Sequence, residues 1–499
     1  MKSARHSIFA TAFGAFAILG YAPFYFYPAT IIALAGLFHL WQKTDTPKST
    51  SWLGFSFGIG FFGAGVSWIY VSLHDFGGMP ALLAGFSTLA FCAFLAAFPA
   101  TVGYLAGRHP AQSRLWLLPA LWVLLEWVRG WIFTGFPWLA VGYSQIPYSP
   151  LAGLTPIIGI YGTSLATAAC AALIAASFGK QLSKKRLALW LAFAWFSSAA
   201  LAHIEWSRPT GKPVSFSLLQ GNIGQDMKWR EEELQHTLHT YEQLVMSSKA
   251  QLIVLPEMAF PLLLDQLPEG YLDRLVTHAK SNSGNLLVGV PEAIQTQGET
   301  RYYNSILSYG SAPQQAYRKS HLVPFGEFIP FKPLIGWVYQ ELLHIPLADL
   351  ESGEPSQPPM KLAGQQVAFN ICYEDAFGEE IIRPLPAATL LINVSNDAWY
   401  GESFAAHQHL QLSQARALET ARMVLRSTNT GATAAIDRDG RVIGQLPHFT
   451  QASLDGSAQG YSGETPYVRW GNTPVVILIL AIMSTVEWRR RKKKKEAGR

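Results

Sequence analysis

Between residues 80 and 106 this chain carries no Asp, Glu, Lys or Arg. A bilayer core accepts a helix of about 20 predominantly apolar residues, and an uncharged run of that length has few other places to fold. Six further stretches of similar character precede residue 205, near 7–22, 25–41, 52–73, 115–134, 152–178 and 187–204. An eighth, PVVILILAIMSTVEW, occupies about 473–488. The first two are separated by GYAPFYFYP, whose Gly and Pro break the run, so one re-entrant hairpin competes there with two spans. The start does not read as a cleavable signal peptide, because the apolar pattern simply continues and no small-residue cleavage site follows.

Composition agrees with this reading. Hydrophobic residues make up 49% and charged residues 14% of the 499. A polar mix of the globular kind is confined to the segment after residue 204. The expected organisation is a membrane region of about seven spans over 1–204 and a globular domain over 205–466. A last span over 467–488 and a basic tail over 489–499 complete it.

Lys and Arg fall on alternate connections. Lys2 and Arg5, Lys43 and Lys48, Arg108 and Arg114, then Lys180, Lys184, Lys185 and Arg186 form one set, and RRRKKKK ends it at 489–495. The intervening short connections, GYAPFYFY, HDFGGM and GFPWLAVGYSQIPYSP, have none. Basic loops stay in the cytoplasm. Both termini are therefore expected there and the globular domain outside. A basic tail can also bind nucleic acid, but beside a membrane span topology accounts for it, and no nucleic-acid partner is expected.

Within the globular segment the period changes. VSFSLLQGNI, QLIVLPEM, NLLVGV, YNSILSYG, QVAFNICYED, TLLINVSND and ATAAID read as strands, and 231–248 and 405–421 as helices. Runs such as LIVLP and TLLIN are apolar throughout, as in sheets covered on both faces. The class is α/β. Three polar residues stand where a buried strand should end: Glu257 after LIVLP, Lys319 after QQAYR and Cys372 after VAFNI. Each alone could mark the sheet meeting water. Together they supply what cysteine acyl chemistry needs, namely a thiol, a carboxylate to take its proton, and an ammonium to steady the thiolate or an oxyanion. Cys372 is the only cysteine of that segment, so it has no disulfide partner there, and Cys92 and Cys170 lie in apolar runs as small core hydrophobes. GxSxG occurs once, as GFSFG at 54–58 inside an expected span and not between a strand and a helix, and no HExxH or paired CxxC occurs. His407 and His409 are spaced i, i+2 on an expected helix and so face apart, and no metal or cofactor is expected.

The ordered set LPE, YRKSHLVPFGE and CYED resembles the nitrilase (carbon–nitrogen hydrolase) superfamily. Its fusion to many spans before and one after is similar to the bacterial apolipoprotein N-acyltransferases, as are QGNIGQDMKW at 220–229, FPW at 136–138, PFGEFIP and NDAWYG at 396–401. The resemblance implies an αββα sandwich and a catalytic triad of Glu257, Lys319 and Cys372. It further implies acyl transfer from a membrane phospholipid, through a cysteine thioester, to the N-terminal amine of a diacylglyceryl-modified apolipoprotein, by a monomer. Supporting candidates are Glu327, Tyr373, Glu374, Trp229, Asn304, Arg129, Phe136, Trp138 and Trp337. Glu327 and Glu374 are candidates for moving protons or positioning Lys319, or else for simple ion pairs. Arg129 either pairs with Glu126 or meets a head group. Residues 328–346, FIPFKPLIGWVYQELLHIP, are expected to form an apolar lid dipping into the outer leaflet. The competing readings are a tethered amidase of the same triad, with water as acceptor, and a non-enzymatic scaffold on a degenerate domain.

Overall fold

The computed structural model describes residues 2–44, 46–224, 231–296, 298–330 and 349–497. Trp229, Trp337 and residues 331–346 of the expected lid lie outside the described residues. The chain divides into two compact units, one of Met1–Asp75, Pro80–Glu205 and Thr465–Arg499, the other of Phe76–Met79 and Trp206–Glu464.

The first unit is helical. Its long helices are Lys2–Ala17, Pro28–Gln42, Pro47–Gly65, Ala81–Gly107, Ala111–Arg129, Thr155–Phe178, Lys184–Leu201 and Thr473–Ala497. Each overlaps one of the apolar stretches, and the GYAPFYFYP break separates two helices. By length and composition, Ala81–Gly107 and Pro150–Phe178 can cross a membrane. Pro47–Gly65 with Ile69–Phe76, bent by 59°, adds a third if the pair counts as one span. The expected eight are not reached on this measure. Pro28–Gln42 is short, the Lys184–Leu201 helix opens on KKR, and the Thr473–Ala497 helix runs through Glu487 into RRRKKKK. Small residues let these helices touch backbone to backbone. A Cβ on Gly60 would lie 2.0 Å from the Thr11 carbonyl oxygen, so any side chain there forces the two helices apart.

Charged residues inside this unit are tied to its backbone. Glu126 accepts from Trp122 Nε1 at 2.8 Å and from the Val141 amide at 2.9 Å. Arg129 is buried, donates to the carbonyls of Phe136 and Trp138 at 2.7 and 2.6 Å, and lies over the Phe62 ring. Arg129, Phe136 and Trp138 thus share one brace that closes the loop after the Ala111–Arg129 helix.

Among its described residues the second unit holds twelve strands: β1 (Ser207–Gln220), β2 (Leu252–Val254), β3 (Asn285–Thr296), β4 (Glu299–Gly310), β5 (Gln315–Arg318), β6 (Met360–Leu362), β7 (Gln365–Ile371), β8 (Leu390–Ser395), β9 (Val424–Thr428), β10 (Ala434–Ile436), β11 (Val442–Gln445) and β12 (Ala452–Gly463). They form two six-stranded sheets, ordered β12-β1-β2-β3-β4-β5 and β11-β10-β9-β8-β7-β6. Each has a parallel centre, β1-β2-β3 or β7-β8-β9, with antiparallel neighbours.

Side-chain alternation sorts the layers. Leu252 and Val254 join Phe216, Leu218, Val367, Phe369 and Ile392 in the core between the sheets, while Ile253 turns outward. There it packs with Leu238 and Tyr241 of the Glu231–Ser247 helix and Leu275 of the Tyr271–Ser281 helix. On the far side, Leu391 and Val424 pack on Leu410 and Ala417 of the Ala405–Thr420 helix. Each fully buried Leu, Ile or Val is worth about 1.5–3 kcal/mol, so a strand shifted by one residue would forfeit its whole inner row. The result is an αββα sandwich, as the resemblance implies.

Candidate active site

The parallel strands deliver functional groups at their carboxyl ends, where open α/β sheets carry ligand sites. Glu257 follows β2, Cys372 follows β7 and Asn396 follows β8. Lys319 follows the antiparallel β5, and its amide donates to the Asn304 carbonyl at 2.8 Å, extending the β4 ladder by one rung. The turn bearing Glu257 needs a glycine beneath it. A Cβ on Gly289 of β3 would stand 2.3 Å from the Pro256 carbonyl oxygen.

Glu257, Lys319 and Glu327 form one buried network. Glu257 Oε1 accepts from Asn304 Nδ2 at 2.8 Å and from Lys319 Nζ at 3.3 Å, and its Oε2 accepts from the Asn396 amide at 2.9 Å. Lys319 Nζ also donates to Glu327 Oε1 at 2.9 Å, an atom that takes a further bond from Asn304 Nδ2 at 3.0 Å. Glu327 Oε2 is held by the Val323 amide at 2.7 Å. Burial alone would pull Lys319 down, yet the carboxylates of Glu327 and Glu257 and the nearby Cys372 hold its ammonium well above the usual lysine value. It is a fixed cation.

Cys372 is mounted on an elbow. It comes directly after β7, opens the short helix Cys372–Ala376 and has φ +52°. A non-glycine residue in that left-handed region carries about 1–3 kcal/mol of strain, held by surrounding bonds. Burial pushes its thiol upward, the Glu257 carboxylate pushes it further, and Lys319 opposes both. A thiol so raised would need a base before it could attack, and Glu257 is the carboxylate that acts on it most strongly. Two carboxylates and one ammonium leave the site one formal negative charge. Passing the thiol proton to Glu257 conserves that total, whereas loss of the proton to water would add a second buried charge.

Glu374 bridges the elbow to the lysine strand. Oε2 accepts from the Ile371 amide at 2.7 Å and the Tyr317 hydroxyl at 2.9 Å. Oε1 accepts from Ser320 N and Oγ at 2.7 and 2.9 Å and from the His321 amide at 3.1 Å. Burial raises this carboxyl, and the backbone amides and Lys319 partly offset the rise. Its task is to hold the residues after Lys319 against Cys372. Glu374→Gln offers one oxygen where two carry bonds, leaving buried donors unmet at about 1–3 kcal/mol each. The expected result is a Tm lowered by several degrees and a kcat lowered about tenfold or more, with KM within about twofold, because the lysine shifts against the thiol while the binding surface stays. Unchanged kcat and Tm would remove the bridging role. Tyr373, also buried, turns into an aromatic cluster with Phe377 and His321 at centroid distances of 5.1 and 5.8 Å.

Sequence similarity places the whole chain among known proteins. Residues 13–173 match the family profile described as Apolipoprotein N-acyltransferase N-terminal domain, and 217–464 match Carbon-nitrogen hydrolase. The chain is 53% identical to a Nitrosomonas europaea protein named apolipoprotein N-acyltransferase, over 95% of each chain. The chain belongs to the apolipoprotein N-acyltransferase family. Proteins of the same name from Chromobacterium violaceum and Methylococcus capsulatus are 45% and 40% identical over 96% and 95% of this chain, covering 93% and 94% of theirs.

Within this family member the structure joins Glu257, Lys319, Glu327, Asn304, Tyr373, Glu374 and Cys372 in the second unit, and places Arg129, Phe136 and Trp138 in the first. It also shows polar residues that sequence reasoning missed. Asn429 takes the Ile223 amide at 3.0 Å and donates to Asn396 Oδ1 at 3.2 Å, linking the QGNI and NDAWYG segments behind Glu257. Asp397, His409 and Arg426 form a second buried network under Cys372. One signal was available: Arg426 interrupts the apolar strand VLRST, and a guanidinium inside a buried strand requires an anion.

Proposed function

We propose that this chain moves a fatty acyl group from a membrane phospholipid to the N-terminal amine of a diacylglyceryl-cysteine apolipoprotein, with Cys372 as the acyl carrier. The observation that carries this reading is the buried Lys319 ammonium held between Glu257 and Glu327 beside Cys372, in a chain of this family. Glu257 takes the thiol proton, and the thiolate adds to the ester carbonyl. Lys319 faces the oxyanion. The C–O bond breaks, the departing alkoxide takes the proton back from Glu257, and a lysophospholipid leaves. The acceptor amine then adds to the thioester carbonyl and gives a proton to Glu257. The C–S bond breaks, and the thiolate recovers that proton.

The membrane half supports the same scheme. Both substrates are anchored in lipid, and each CH₂ drawn into water costs about 0.8 kcal/mol, so extracting a whole chain costs roughly 10 kcal/mol. Reaction at the bilayer surface avoids that. In this reading the helical unit crosses a bacterial inner membrane about eight times, both termini are cytoplasmic, and residues 205–466 act on the periplasmic side. Helices whose basic ends fall inside their length still span, because Lys and Arg there snorkel to the interface. The relatives' names favour an amine acceptor over water.

The test is a two-stage incubation of the full chain in phospholipid vesicles, followed by peptide mass spectrometry. Phospholipid alone should leave Cys372 with a hydroxylamine-labile acyl group. A diacylglyceryl-cysteine lipopeptide should then discharge it onto its own amine. Acyl transfer to the lipopeptide with no acyl-Cys372 at any time would replace this scheme with direct transfer.

A further inference from the structure

The catalytic scheme leaves one ring unused. The Ala405–Thr420 helix carries His407 and His409 on different faces. His407 is only partly buried and stacks on His448 at 4.6 Å, whereas His409 turns inward and is 1% exposed. Its Nδ1 is 2.9 Å from Asp397 Oδ1 and its Nε2 is 3.1 Å from the backbone carbonyl oxygen of Cys372. A carbonyl oxygen only accepts. Asp397 is also an acceptor: burial would raise its carboxyl, but Arg426 and His409 hold it well below the usual carboxylate range. Ser395 Oγ donates to Oδ1 at 2.9 Å and Arg426 to Oδ2 at 2.7 Å, as expected of an ionised group. Both ring nitrogens therefore face oxygens without a proton to give. The ring satisfies both only by carrying N–H at each position.

We propose that His409 is the positioning residue of the nucleophile, a double donor strung from Asp397 to the Cys372 carbonyl that locks the peptide on which the thiol is mounted. This rests on the reading of Cys372 as acyl carrier. The elbow is clamped from two directions. Glu374 holds the amide of Ile371 just before it, and His409 holds the carbonyl of Cys372 itself. Because a trans peptide sets C=O and N–H antiparallel, fixing that carbonyl turns the Tyr373 amide to the opposite side. The clamp also retains φ +52°, a conformation a cysteine would otherwise leave. The anchor is rigid: Arg426 braces Asp397 and donates to Asn393 Oδ1 at 2.6 Å, with Asp375 at 3.6 Å.

The test resolves the acylation step in the full chain in phospholipid vesicles, with thermal unfolding as the folding control. His409→Phe keeps a ring but no donor. Thioester formation on Cys372 should slow on the order of 10²-fold, as for a misplaced reacting group, with half-saturating phospholipid within about twofold of wild type. His409→Gln returns an N–H toward the carbonyl and should recover at least about tenfold of that loss. Wild-type rates in folded His409→Phe, or equal losses in folded Phe and Gln variants, would overturn the proposal. Should the Phe variant not fold, His409→Asn, whose shorter amide falls short of the carbonyl, takes its place. Asn as fast as Gln would again overturn it. A wild-type protein that never carries acyl on Cys372 would instead defeat the carrier reading.

Discussion

Cys372→Ala is expected to abolish lipopeptide N-acylation and to leave no hydroxylamine-labile acyl group anywhere on the chain. The reason is chemical. In the proposed scheme this side chain forms the covalent intermediate, and removal of a nucleophile from an interdependent set costs on the order of 10⁴–10⁶ in kcat. The other two cysteines serve as internal controls. Cys92 and Cys170 are buried in the helical unit. Replacing either with Ala removes one small apolar group from a packed interior, so the expected effect is at most a modest loss of stability with most activity kept. Cys372→Ser sharpens the test, since an alkoxide forms far less readily than a thiolate. A Ser variant with more than about one hundredth of wild-type kcat would mean that the sulfur is not the attacking atom. Near wild-type N-acylation by Cys372→Ala, measured by mass spectrometry of the lipopeptide amine, would end the triad reading.

What the chain disclosed on inspection depended on whether an element owes its existence to side-chain burial or to backbone pairing. β2, β7 and β8 are apolar on both faces because each is sandwiched between a helix layer and the other sheet, and such runs stand out. β12, ASLDGSAQGYSG, carries little apolar surface. It exists because its backbone pairs with β1 from Ser207↔Gly463 to Gln220↔Ala452, a register that no hydrophobic period announces. β6 and β11 escape notice for the same reason, being three or four residues long at the sheet edges. Span counting met a different obstacle. Hydropathy finds the apolar runs, but some of the helices that hold them are short, as Lys2–Ala17 and Pro28–Gln42 are, and others include a basic end, as Lys184–Leu201 and Thr473–Ala497 do, so fewer are both long and apolar enough to cross a membrane.

The site divides along similar lines. Glu257, Lys319 and Cys372 were legible because each is a polar residue terminating a buried strand, and their chemistry is complementary. Asn304 and Glu327 were candidates in the sequence, but their shared contacts come from the fold, which brings β4 and the turn after Lys319 to one carboxylate. His409 could not be read at all. The i, i+2 spacing correctly separates it from His407, yet nothing in HQHLQLSQ says that one of the two rings reaches a carbonyl 37 residues earlier. That contact is made by packing of the Ala405–Thr420 helix against the Cys372–Ala376 turn, which has no local signature.

Lys319→Met should show the largest combined loss of activity and stability among the remaining site variants. Two effects add. Removing the oxyanion donor slows thioester formation by about 10²–10³-fold. Removing the cation takes the counter-charge from the buried Glu257 and the half-buried Glu327, and breaking a buried ion pair costs about 3–5 kcal/mol. Glu257→Gln is expected to behave differently. It slows acylation by about 10²–10⁴-fold, since the base is gone, but Lys319 keeps Glu327 at 2.9 Å and folding should suffer less. The two contributions of the lysine can be separated by relieving the charge without restoring the donor. In Lys319→Met/Glu327→Gln one of the two stranded carboxylates becomes neutral. Thermal unfolding should then recover much of the lost stability while the rate of thioester formation stays at the single-mutant level. A double variant that regained the rate would show that Lys319 serves folding alone, and a Lys319→Met protein as stable as wild type would show that the buried ion network is not what holds these strand ends together.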